Sequence, residues 1–436
     1  MSSDNFKRRD LLQLLAGAGL VAATPSLVRA APSASPSAAP PYPGPFLVTV
    51  HAGGGWDPTN LCDPKGKKDA KEDKPINNFL LSDVQKVGPF SVAPTPGAVD
   101  FFKLHKDRLI VFNGVDTSTN GHDSGTRHVW SGNLVEGYPS LAALFAATVA
   151  SKQPLAFLSS GGYDHTNGHI APTRVGNVSA LNRLTKPNVK DLNNPDRRFH
   201  DDWVWKRLLE VRAKRMKRQV EEVSLPASVV AMELLRDARL GVGVLNKLIE
   251  KMPKTLDKSS NPLKRQAEIS AATFAAGLGA SASLTLGGFD THANHDATHK
   301  PRLTMLLDGV TYLYNQLKAQ GIADKTLIVV SSDFGRTPGY NAGKGKDHWS
   351  ITSAMVLGPT EGSFAIKGGR VVGTTTPAHH PIELDPKTLL PSDKKTGVRL
   401  TPGTLHLALR AHLGLSDTEL EKRYLIKSPK LALLKG

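Results

Sequence analysis

Two aspartates that follow apolar runs, with histidines close behind, are the residues of this chain best suited to chemistry. The first lies in Gly287-Gly288-Phe289-Asp290-Thr291-His292 and the second in Asp333-Phe334-Gly335-Arg336-Thr337, with Asp347-His348 further on. Carboxylates mixed with imidazoles suit a divalent metal ion bound through oxygen and nitrogen. A third acid, Asp57, ends the turn His51-Ala52-Gly53-Gly54-Gly55-Trp56-Asp57, where glycines let backbone crowd a ligand. Between Gly114 and His128 hydroxyls gather with histidines and an arginine, including Ser118, Thr119, His122, Asp123, Ser124, Thr126 and Arg127. A hydroxyl-rich turn where helix N-terminal amides can receive an oxyanion is where a phosphoryl or sulfuryl transferase would keep its nucleophile. Taken singly, Ser118, Thr119 or Asp123 would serve equally well to cap a helix.

These residues need a scaffold, and the pattern supplies a parallel sheet. Thr326 to Ser332 is apolar and β-branched throughout, as a strand covered on both faces should be. Before it, Leu303, Leu306, Leu307, Val310, Leu313, Tyr314 and Leu317 recur at helical spacing, and a further apolar run precedes Gly287. Strand, helix and strand make a β-α-β unit, in which the carboxyl ends of the strands carry the site. Phe46 to Val50, Arg108 to Asn113, Leu155 to Ser160 and Ser353 to Gly358 read as further strands. Leu141 to Ala150 and Thr404 to Leu415 read as helices, and Gly368 to Gly373 as a tight hairpin. Phe199 to Glu222 and Val229 to Ile249 suggest helices of an insertion over about 191–264, shaping access to the site.

The chain has 436 residues and a formal charge of +16, so the surface should attract anionic substrates, lipid headgroups or polyanions. No recognised nucleic-acid module accompanies that charge. With Cys62 as the one cysteine, no intramolecular disulfide is possible. Residues 1–30 read as an export signal: Arg8-Arg9 in a basic n-region, an apolar stretch from Leu14 to Ala23, and a Val28-Arg29-Ala30 cleavage site. Residues 31–45 follow as an Ala/Ser/Pro linker, so 46–436 should be one folded domain, periplasmic or secreted through the twin-arginine translocase.

Gly54-Gly55-Trp56-Asp57, the loop around His122, Gly288-Phe289-Asp290-Thr291-His292, Ser332-Asp333-Phe334-Gly335-Arg336-Thr337 and Asp347-His348-Trp349 occur in that order. In this the chain resembles an exported bacterial family catalogued as domain of unknown function 1501, placed in the alkaline phosphatase and sulfatase superfamily. The resemblance implies a three-layer α/β/α sandwich around a mostly parallel sheet, with a metal site at the strand ends. On the superfamily pattern Asp57, Asp290, Asp333 and His348 would be ligands, with His292 or His295 beside Asp290. Phe334 stands where a histidine is expected, which leaves a single-ion site, a rebuilt site or a metal-free pocket open. Asp123-Ser124-Gly125 best matches the nucleophile turn, with Thr126 second. Cys62-Asp63-Pro64 is no sulfatase motif, because Gly66 occupies the place of its arginine.

The expectation is therefore a hydrolase of anionic phosphate or sulfate esters, small or polymeric, dependent on zinc, manganese or calcium. Asp57, Asp290, His292, Asp333 and His348 would hold the metal, with His122, His295 and Asp347 as further candidates. Ser124 or Thr126 would attack, and Arg336 or Arg127 would clamp the non-bridging oxygens. The rival is a binding or assembly protein that keeps the fold without the chemistry.

Overall fold

The computed structural model describes residues 40–174, 186–191, 194–223, 246–253, 255–393 and 395–435, together with 225, 228, 229 and 232. The N-terminal segment read as an export signal, most of the linker and most of the expected helix at 229–249 lie outside the described residues.

Eight strands make the main sheet: β1 (Phe46–Gly53), β2 (Leu109–Asp116), β3 (Phe157–Ser159), β4 (Pro172–Arg174), β5 (Ser281–Gly287), β6 (Thr326–Ser332), β7 (Ile351–Leu357) and β8 (Arg370–Val372). Their spatial order is β8-β2-β7-β6-β1-β5-β3-β4. All neighbours are parallel except β7, which runs against both β6 and β2. The carboxyl ends of β1, β2, β5 and β6 and the amino end of β7 therefore share one rim.

Side-chain alternation along the central strands divides the core in two. Phe46, Val48, Val50, Ile328 and Val330 face one layer, with Leu263, Phe274, Leu306 and Val310. That layer is formed by α1 (Ala98–His105), α5 (Pro262–Ala275) and α6 (His295–Ala319). Leu47, Leu327 and Val329 face the other, with Trp130, Leu144, Phe145, Leu405 and Leu409. Its helices are α2 (His122–Ser131), α3 (Leu141–Val149) and α7 (Pro402–His412). A sheet buried on both faces by helices is the three-layer α/β/α sandwich that the family resemblance implied.

The stretch expected as a hairpin, Gly368 to Gly373, is instead the edge strand β8, parallel to β2. Its glycines serve close approach: a Cβ at Gly368 would overlap the Asp107 carbonyl, and one at Gly373 the carbonyl of Asn113. Helix α4 (Asp202–Glu222) has only Met216 buried, and Trp203 of its expected apolar stripe is exposed. Among the described residues no helix is long and apolar enough to cross a membrane.

Candidate metal centre

The rim collects side chains from four strand ends. β1 runs into Gly54 and Gly55, β2 into the loop that opens α2 at His122, β5 into Asp290 and His292, and β6 into Asp333. His348 arrives from the opposite direction, just before β7 begins. Gly54 holds a positive φ of 116°, and a Cβ there would meet the backbone nitrogen of Asp290 at 2.5 Å, so only glycine lets the two loops touch.

At the centre is the Asp290 carboxylate. His292 Nε2 is 3.0 Å and His348 Nε2 3.2 Å from its Oδ1, while His122 Nε2 is 3.6 Å from Oδ2. His292 and His348 place their Nε2 atoms 3.0 Å apart. The far side of each ring faces an atom that can only accept a proton. His122 Nδ1 is 2.6 Å from Asp333 Oδ2, His292 Nδ1 2.8 Å from Asp347 Oδ1, and His348 Nδ1 2.7 Å from the Asn120 carbonyl. Each Nδ1 therefore carries the proton, which leaves a lone pair on each Nε2 of a neutral ring. Lone pairs brought to 3.0 Å beside a carboxylate repel unless a cation, a proton or a metal ion, lies among them.

The spacing fits a metal ion. Donors around a tetrahedral ion at about 2.0–2.1 Å stand about 3.3 Å from one another. Asp290 Oδ1, His292 Nε2 and His348 Nε2 form a triangle with sides of 3.0, 3.0 and 3.2 Å. Asp290 and His348 also form a group with His122, whose ligand atoms all lie within 4.8 Å. Oxygen acceptors behind ligating imidazoles are the arrangement that fixes tautomer and ring orientation at metal sites. The centre is open to solvent, with the Asp290 and His292 side chains 45% and 48% exposed.

Asp333, expected as a ligand, lies behind the His122 ring rather than among the Nε2 atoms. Its side chain is 3% exposed and takes the Gly54 N–H at 3.1 and 3.2 Å to its two oxygens, as well as the His122 ring. His51 Nε2 approaches its Oδ1 at 3.4 Å, and Trp130 Nε1 donates to His51 Nδ1 at 3.0 Å, which puts the His51 proton on Nε2. Asp333 thus orients His122 from behind. Burial pushes its carboxyl up, but the His122 hydrogen bond, His51 and the Gly54 amide prevail and hold it below the usual range. The same hydrogen bond to Asp333 raises His122 against its partial burial. Burial likewise acts upward on Asp290, and the Arg336 guanidinium with His348 and His292 brings it down to about 2.

Asp57, expected to share the ion, lies elsewhere. It is fully buried and binds Lys346 Nζ at 2.6 Å and His295 Nε2 at 3.1 Å, with Thr59 and Asn60 donating as well. His295 belongs to that network rather than to the rim. Arg336 is no free clamp, since it is fully buried and donates to the carbonyls of Gly54, Gly55 and Lys346 and to Asp290. Arg127 turns to the Leu134 carbonyl and Glu136. Ser124 Oγ lies 2.6 Å from Thr119 Oγ1 and donates to the Gly121 carbonyl at 3.1 Å, in the first turn of α2 with His122. Thr126 lies on the next turn of the same helix, half-buried. Phe334, where a histidine was expected, is a fully buried floor, its ring 4.9 Å from His122 and 4.4 Å from His348. His51, Trp130, Asn120 and Lys346 escaped the sequence reading. Of these only His51 carried a signal, as a histidine at the mouth of the first strand.

Fold and centre define an α/β protein with a histidine and carboxylate cluster on the carboxyl rim of its sheet. A family model described as "Protein of unknown function (DUF1501)" matches residues 46–388, and the chain belongs to that family. No curated protein matches the chain in sequence. Similar solved structures include a lipoteichoic acid synthase from Listeria monocytogenes, at 8% identity over 90% of this chain and 79% of that one, TM-score 0.37. A putative sulfatase from Bacteroides thetaiotaomicron is similar at 10% identity over 89% and 76%, TM-score 0.34. TAB5 alkaline phosphatase, as a mutant with Mg bound, is similar at 8% identity over 76% and 95%, TM-score 0.34. These likenesses concern the course of the chain and not its chemistry.

Proposed function

We propose that this chain is an exported, metal-dependent hydrolase of phosphate or sulfate esters, working at the rim centre. The observation that carries this reading is the convergence of three imidazole Nε2 atoms on Asp290, each ring fixed by an oxygen behind its Nδ1. Asp290 and His348 would hold the ion with His292, His122 or both. So many nitrogen donors favour zinc over manganese or calcium, which take oxygen more readily. When bound, the ion would supply Lewis-acid polarisation of an ester oxygen. Asp333, Asp347 and the Asn120 carbonyl keep the Nδ1 protons in place, so that the ligating nitrogens stay bare. Ser124 is the candidate nucleophile, in the same helical turn as His122, with Thr119 holding its hydroxyl and Thr126 second. The basic surface would draw in an anionic ester. Export rests on the Arg8-Arg9 segment of the sequence.

A second reading, a binding or assembly protein without turnover, draws support from Arg336 and Arg127, both committed to protein groups. Metal analysis of the purified protein and its Asp290→Ala and His348→Ala variants, with a screen of aryl phosphates, phosphodiesters and sulfates in zinc or manganese, tests the proposal. The expected result is bound metal and turnover in the wild type, metal lost in both variants, and turnover lost in Ser124→Ala with metal retained. Equal metal content in all three proteins overturns the ligand assignment. Bound metal with no turnover, together with a tight metal-independent partner, selects the second reading.

A further inference from the structure

A second cluster of ligand-type side chains lies beneath the rim, sharing no side chain with the His122, Asp290, His292 and His348 centre. Asp57, Thr59, Asn60, Asn77, His295, His299 and Lys346 are all fully buried. The Lys346 ammonium sits among them, 2.6 Å from Asp57 Oδ2, 2.7 Å from Asn77 Oδ1 and 3.4 Å from Thr59 Oγ1. His295 Nε2 is 3.1 Å from the same Asp57 oxygen, and Asn60 Nδ2 is 3.0 Å from it. The Oδ1 of Asn60, whose Nδ2 faces Asp57 and Asn77, is buried with no hydrogen-bond partner among the described residues.

The protons can be placed one after another. The Asp57 backbone N–H donates to His299 Nε2 at 2.8 Å, so the proton of a neutral His299 is on Nδ1, 3.1 Å from Thr291 Oγ1. Thr291 accepts that proton and can give its own to His295 Nδ1 at 2.7 Å. His295 then presents Nε2–H to Asp57. Both imidazoles are neutral in this arrangement, and among the described residues the only cation against the Asp57 carboxylate is Lys346. A carboxylate oxygen, an amide oxygen and a hydroxyl oxygen thus surround a single ammonium, with the His295 ring against the same carboxylate, in the place where such donors elsewhere surround an ion.

We infer that Lys346 is a built-in cation that fills a second metal-type pocket, and that removing its ammonium opens this pocket to a divalent ion of the zinc or manganese kind. The inference does not rest on the rim centre holding an ion. An ion entering in place of Lys346 would use Asp57 Oδ2 and Asn77 Oδ1, with His295 Nε2 joining once the Thr291 hydroxyl turns and the proton moves to Nδ1. The wild-type chain is closed there, because its own side chain holds the position permanently. Lys346 also ties the loop that carries Asp347 and leads into His348 to the loop after β1, so the two clusters are linked mechanically while their ligands stay separate.

The test counts ions. Wild type, Lys346→Ala and Lys346→Met are dialysed against zinc and against manganese, and bound metal per chain is measured, each also in a His348→Ala background that disables the rim centre. Lys346→Ala is expected to gain about one ion per chain over its own background in both series, while Lys346→Met, which keeps the pocket filled, gains none. The gain should disappear in the Asp57→Asn, Lys346→Ala double variant. A rim centre that fails to bind would lower both backgrounds alike and leave this difference intact. If Lys346→Ala is unfolded without metal, zinc or manganese is expected to restore its circular dichroism and cooperative melting. A folded Lys346→Ala chain with no additional ion, an unfolded one that neither metal restores, or a gain that survives Asp57→Asn overturns the inference.

Discussion

Replacing Asp333 by asparagine exchanges one oxygen for an amide nitrogen and should disable His122 as a ligand through the hydrogen bond at the far side of its ring. Asp333 Oδ1 faces His51 Nε2 at 3.4 Å and the Ser332 hydroxyl at 3.4 Å, and both oxygens receive the Gly54 amide. An asparagine there must keep its carbonyl oxygen toward these donors, which turns its NH2 toward His122 Nδ1, now 2.6 Å from Oδ2. His122 can accept that hydrogen only by moving its own proton to Nε2, the nitrogen that faces Asp290. The ring would then donate to Asp290 and have no lone pair for an ion. Loss of such an outer partner at metal sites costs about 10–100-fold in affinity, or about 1.4–2.7 kcal/mol. Competition titration against a zinc-responsive fluorescent chelator reads the change, with thermal melting of the metal-free protein as the control for folding. Asp333→Asn is expected to bind zinc at least about tenfold more weakly than the wild type. An affinity within about twofold, in a variant that melts normally, would refute the assignment of Asp333 to His122.

Two further outcomes follow from the same contacts. A Cβ at Gly345 would overlap the His292 carbonyl, so Gly345→Ala must push the Lys344–Asp347 loop off β5's exit. Overpacking of this sort costs about 1–3 kcal/mol, and the chemical melting midpoint should fall while zinc affinity drops with the displaced Asp347; an unchanged midpoint counts against the packing. Burial pushes His406 down to about 3 and His379 to about 4, so both fold neutral. Below their unfolded value near 6.5 the unfolded chain takes up protons that the native state refuses, so stability falls as pH drops from 6.5 toward those values. At pH 5 each would cost about 2 kcal/mol. Urea midpoints of metal-free protein between pH 7 and 5 check this, and a flat profile would show that these rings are not held neutral.

The scaffold was readable because burial on both faces leaves a plain signature. Thr326 to Ser332 is strand β6 to the residue, and Leu303 to Leu317 mark the inner side of α6. The Gly368 to Gly373 segment misled, since glycine signals a turn in sequence and a close approach in space with the same letter. At the site, Asp290, His292 and His348 were visible as types at strand ends. What sequence could not supply was which atom each ring turns where. Asp57 looks like a ligand until Lys346, 289 positions away, is seen against it. Arg336 looks like a clamp until its donors are found on Gly54, Gly55 and Lys346 carbonyls. His122 rose from a secondary candidate because Asp333, 211 positions distant, fixes its proton.

The position of β1 has a consequence for how this molecule comes into being. The first strand of the domain is wedged between β5 and β6, pairing with residues 281–287 on one side and 326–332 on the other. Made before the other strands of the sheet, it must wait for residues 281–287 and 326–332 before either edge finds its mate, and contacts so distant in sequence are slow to form. A nascent chain halted before Ser332 would lack one wall of this slot, and with it the residues that close the rim. The cluster around Asp290 is thereby complete only once His348 has been made and the sheet has zipped shut around its own beginning.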